Sequence, residues 1–126
     1  MNKRLLAFVC LAGLAFQCGV AKKQASGNCI QGKVIRISCA SYVVQSLNVD
    51  TVGQDGWKNS ADTTIAYDNV FDVANKCKLP ADLKAGDTIY FTAAPVQASD
   101  CISCMMFDAP PAVKYDLNNV SRKPCE

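Results

Sequence analysis

After a strongly apolar start, the chain alternates in short runs and shows no helical stripe. Residues 30–38 (IQGKVIRIS) are rich in β-branched side chains and alternate from Lys33 to Ile37, which predicts a strand. Residues 42–47 (YVVQSL) predict its neighbour, with Cys39, Ala40 and Ser41 forming the turn between them. Residues 48–63 are polar and contain Gly53, Asp55, Gly56, Asn59 and Asp62, the composition of a loop, here carrying a single Trp. A second β-rich segment occupies 64–73. Turns follow at Leu79-Pro80 and Ala85-Gly86-Asp87, and 88–93 (TIYFTA) alternates cleanly behind them. Residues 102–107 form a further apolar stretch, broken by Pro110-Pro111, and 113–120 (VKYDLNNV) predict a last strand. Five or six short strands around one long loop predict a mainly β fold, a small barrel that is OB-like by pattern only.

The apolar start has a different character. Lys3 and Arg4 precede LLAFVCLAGLAF, an unbroken run from Leu5 to Phe16. A membrane-spanning helix needs roughly 20 such residues and a signal-peptide core about 7–15, so the run predicts an export signal. Ala15-Phe16-Gln17-Cys18 resembles the lipobox of bacterial lipoproteins. Two positions depart from that pattern. Leu14 stands four residues before the cysteine, where the family prefers Leu three before, and Gln17 occupies a site that is usually small. The resemblance covers the first eighteen residues and implies a lipid on Cys18. The rival is ordinary cleavage after Gly19-Val20-Ala21. The expected organisation is a signal at 1–17, a lipidated cysteine and polar tether at 18–28, and one β domain at 29–126. Gly19, where an Asp would imply retention at the inner membrane, implies the outer membrane facing the periplasm. Without the lipid the protein would be periplasmic or secreted.

Export changes the meaning of the cysteines. Of eight, Cys10 lies in the signal core and Cys18 is the lipid candidate. Cys29, Cys39, Cys77, Cys101, Cys104 and Cys125 remain. Six cysteines in an exported domain of this size predict a disulfide framework, with fifteen pairings open.

Charge and composition exclude more than they identify. From Gly19 onward eleven Lys/Arg balance eleven Asp/Glu. The chain therefore lacks the clustered basic excess of a nucleic-acid binder, and its one expected membrane partner is the bilayer holding the lipid. It has no histidine, which removes Ser-His-Asp and Cys-His catalysis and histidine-ligated zinc and haem. No cofactor is expected. Asp68/Asp72 and Asp82/Asp87 are acidic pairs, but they sit among turn residues, where Asp bonds its own backbone.

Two local features carry candidate chemistry. Cys101-Ile102-Ser103-Cys104 is a lone C-x-x-C followed by Met105 and Met106. In an exported domain the expected reading is structural disulfides. The alternative is a thiol-redox or Cu(I) site, because thiolate and thioether sulfurs suit that soft ion. Trp57, in the polar loop, is either a ligand contact or an aromatic that folds back to cap the barrel. The resulting expectation is a non-enzymatic binding or structural module of the cell envelope, whose partner is a protein, glycan or small ligand.

Overall fold

In a computed structural model the described residues are 29–98 and 100–126. The predicted signal, Cys18 and the tether lie outside them. Seven strands form: β1 (Ile30–Ile37), β2 (Tyr42–Ser46), β3 (Trp57–Asn59), β4 (Asp62–Tyr67), β5 (Val70–Val73), β6 (Thr88–Ala94) and β7 (Lys114–Ser121). Five of them close a barrel in the order β1-β2-β5-β7-β6, with β6 returning to β1. All barrel pairs are antiparallel except β5 with β7. Counting only barrel strands, the order is 1-2-3-5-4-1, the arrangement of an OB barrel. The mainly β, disulfide-stapled barrel expected from the sequence is the fold observed.

Alternation explains which side of each strand faces inward. Ile30 and Val34 of β1, Tyr42 and Val44 of β2, Phe71 and Val73 of β5, Ile89 and Phe91 of β6, and Leu117 of β7 form one buried cluster. Phe71 lies at its centre, edge-on to Phe91 at 5.9 Å and to Tyr115 at 5.3 Å between ring centroids. Gly32 points into the same crowded interior. A Cβ there would meet Phe91 Cε1 at 2.6 Å and Val44 Cγ1 at 2.9 Å. Glycine lets β1 pass this close to the phenyl ring. The crossover from β5 to β6 contributes Leu83, buried in the cluster, with Leu79 packed against it.

The parallel β5–β7 pair is short, covering Asp72↔Lys114 and Val73↔Tyr115. Side chains extend it. Buried Asn75 donates from Nδ2 to Leu117 O at 2.8 Å, and its Oδ1 accepts the Leu117 N–H at 2.9 Å. The amide thus replaces one further rung of the ladder. Asp72, 4% exposed, accepts the Tyr42 N–H at 2.9 Å and faces Lys114 Nζ at 3.5 Å.

The structure departs from the sequence reading in three stretches. The 48–63 segment is not all loop, since β3 and the start of β4 lie in it, and the 64–73 segment breaks at Asn69 (φ 57°) into β4 and β5. Together β3 and β4 make a separate two-stranded hairpin, inserted between barrel strands β2 and β5. The apolar 102–107 stretch forms no strand.

Candidate functional site

The hairpin determines which faces of the barrel remain open. Val43 of β2 and Val70 of β5 point outward, and Trp57 of β3 closes over both, with Ile35 and Tyr67 packed alongside. Trp57 is 7% exposed, so it is withdrawn from the role of ligand contact that an exposed loop aromatic would have. It covers the side of the barrel and does not cap its end. In OB barrels the outer face of the second and third strands, with the loops joining strands one to two and four to five, commonly binds ligands. Here the hairpin occupies that face, leaving the two loops.

Those loops are the β1–β2 turn, around Ser38–Ser41, and the long β6–β7 connection that carries the C-x-x-C. Cys101 and Cys104 do not bond each other. Cys101 pairs with Cys77 on the 3-10 turn Lys76–Lys78 after β5, and Cys104 pairs with Cys39 in the β1–β2 turn. The third bond, Cys29–Cys125, joins the two ends of the domain. A redox or Cu(I) site would need free thiolates at Cys101 and Cys104, but both sulfurs are bonded to other cysteines. Among the described residues no group of three or more His, Cys, Asp or Glu side chains is placed to hold a metal ion.

Beyond Cys104 the connection is fixed a second time. Asp108, 12% exposed, accepts hydrogen bonds from the Ser38 hydroxyl and, at 2.8 Å, from the Ser41 hydroxyl. Its Oδ1 lies 3.4 Å from the Arg36 guanidinium. Burial pushes the Asp108 carboxyl upward, but the two hydroxyl donors and the Arg36 charge outweigh burial and hold it below the usual carboxylate range. Arg36 also donates to Asn59 Oδ1 and Ser60 Oγ on the hairpin, and its guanidinium lies 5.0 Å from the centroid of the Trp57 ring. The indole Nε1–H donates to Ala109 O at 3.0 Å. Gln54 Oε1 then accepts the N–H groups of Ala112 and Val113, and Pro111 is fully buried.

What this bracing presents is apolar. Ile102 is 93% exposed, Met105 fully exposed, Met106 53% and Phe107 86%. Folded chains scatter single apolar residues over their surface, but four large ones within six positions form a patch. The hydrophobic effect would draw a free segment of this kind onto the barrel, and the two disulfides and the Asp108 anchor restrain it. Residues 102–107 were recognisable in the sequence as apolar, while their exposure follows from pairings that the spacing left open. Arg36 and Asp108 carried no sequence signal, being 72 positions apart.

The acidic pairs serve the fold. Asp68 Oδ1 accepts the Gly56 N–H, and Asp82 and Asp87 both pair with Arg122. The fold and this site define a disulfide-stapled, OB-topology barrel that presents a braced apolar loop. The chain matches no known family model, and no curated protein matches it in sequence.

Proposed function

We propose that this is an exported, non-enzymatic binding module of the cell envelope, held there by a lipid on Cys18, which makes contact through residues 102–107. The observation that carries the reading is the exposure of Ile102, Met105, Met106 and Phe107 on a segment locked by two disulfides and a largely buried ion pair. Bracing an apolar loop removes in advance the ordering cost that binding would otherwise meet. Three disulfides are compatible with export, because such bonds persist in oxidising compartments.

Methionine oxidation tests the contact. Met105 and Met106 should oxidise quickly in purified protein and slowly in intact envelopes. Equal rates in both would show that nothing covers the loop and end the reading. The intact mass of envelope protein tests the anchor. A mass beginning at Cys18 with added acyl chains supports it, and one beginning at Lys22 refutes it.

A further inference from the structure

The braced loop has a composition that narrows its partner. It carries no charged residue between Cys101 and Phe107. Four exposed apolar side chains are a small part of the roughly 20–30 residues that each side gives to a standard protein interface. Lys78 beside Cys77, Asp100 before Cys101 and Ser60, which touches Asp108 O, are polar and exposed. A protein partner would meet only this short apolar segment between polar flanks. A bilayer surface takes up such apolar side chains while the polar flanks stay at the headgroups.

Chain length agrees with this occupant. The domain begins at Cys29, and β1 carries the chain across to Cys39, roughly 25 Å of strand away. The ten residues from Gly19 to Asn28 reach up to about 35 Å when extended. A domain tethered by a lipid on Cys18 has enough slack to bring the far end of β1, and the loop bonded there through Cys39–Cys104, down to the same membrane.

We infer that the occupant is a lipid bilayer surface, into which Ile102, Met105, Met106 and Phe107 insert as a second membrane contact. The inference rests on the loop-binding reading above. Its attraction is apolar. From Cys29 to Glu126 nine Lys/Arg face eleven Asp/Glu, so the domain has no net positive charge to draw it to anionic lipid.

The test places an indole on the loop of the full-length protein. Phe107→Trp, and separately Ile102→Trp, are made at exposed sites and reconstituted with phosphatidylethanolamine–phosphatidylglycerol vesicles whose acyl chains are brominated. Trp57, the one native Trp, is buried and serves as the internal control. The inference expects both reporters to shift to the blue and to be quenched by brominated lipid. The wild type should not be quenched, and added salt should not reverse the effect. Reporters left unquenched overturn the bilayer. If Met105 and Met106 are nevertheless protected in intact envelopes, the loop binds a protein and only the lipid inference fails. Unquenched reporters with unprotected methionines overturn both readings.

Discussion

The guanidinium of Arg36 lies between two partners, with the Asp108 carboxylate 3.4 Å from it and the Trp57 ring centroid 5.0 Å away. This contact joins three parts of the chain: β1, the inserted hairpin and the end of the apolar loop. Arg36 and Asp108 are 11% and 12% exposed, so removing one leaves the other's charge in a poorly solvated place. Breaking such a pair costs about 3 kcal/mol, at the lower end of the range for buried pairs. Arg36→Ala and Asp108→Asn should each lower the denaturant midpoint by that order. The double variant should cost clearly less than the sum, and strict additivity would refute the coupling.

Acid should release the same anchor. Asp108 has its folded-state pKa depressed, whereas the unfolded carboxyl titrates near 3.9. A depressed carboxyl contributes stability that is complete above the unfolded value and is lost as pH falls through the folded one. The domain should therefore hold its stability at pH 5 and above and lose the Asp108 contribution below about pH 4. Denaturant midpoints measured across this range should fall less steeply for Asp108→Asn than for the wild type. Parallel curves would remove Asp108 as a source of the decline.

The barrel was more legible in the sequence than the site. β1 and β6 carry their own alternation, because one side of each strand faces the core and the other is more exposed. The β3–β4 hairpin was obscured because its strands pack on the outside of a closed barrel. Trp57 and Tyr67 are its main inward residues, and β4 is exposed along most of its length. The 102–107 stretch misled in the opposite way. It has the composition of a buried segment, and the partners of Cys101, Cys104 and Asp108 hold it on the outside. Those partners are set by the closure of the barrel, which brings Cys39 and Cys77 near the β6–β7 connection.

The three disulfides should differ in what they hold. Cys29–Cys125 spans 96 positions and limits the unfolded chain most, so its loss should cost about 2–5 kcal/mol. Replacing both cysteines by serine should lower Tm by roughly 10–30 °C for a domain of this size. Replacing Cys39 and Cys104 should instead act on the loop, speeding amide exchange at 101–109 while the barrel strands stay protected. Exchange that rises uniformly over the barrel would contradict that division. Peptide mapping of the oxidised protein should return Cys39–Cys104 and Cys77–Cys101, with no Cys101–Cys104 bridge.

Gly32 gives a test of the barrel interior. A methyl at this position meets Phe91 and Val44 side chains and, at 3.1 Å, the Gln45 carbonyl oxygen. The backbone oxygen has little room to move, so the phenyl ring must turn from its place against Phe71. Gly32→Ala should cost about 1–3 kcal/mol by overpacking, and Gly32→Val more. A neutral Gly32→Ala, read by thermal unfolding, would mean that the barrel is looser than the geometry described.

Stability and contact should separate at the loop itself. Ile102, Met105 and Phe107 are almost fully exposed, so serine there removes little that the fold depends on, and surface changes of this kind stay within about 0.5 kcal/mol. The triple-serine variant should unfold at the wild-type temperature, while its association with vesicles or with the envelope falls. Trp57→Phe should show the reverse order of effects. It keeps most of the apolar cover over Val43 and Val70 but removes the Nε1–H that holds Ala109 O, leaving that carbonyl without its indole donor. The loss should register as faster exchange around Ala109 and a stability cost of about 1 kcal/mol. Should the triple-serine variant unfold well below the wild type, the exposed side chains would be supporting the fold, and their outward placement would need another explanation.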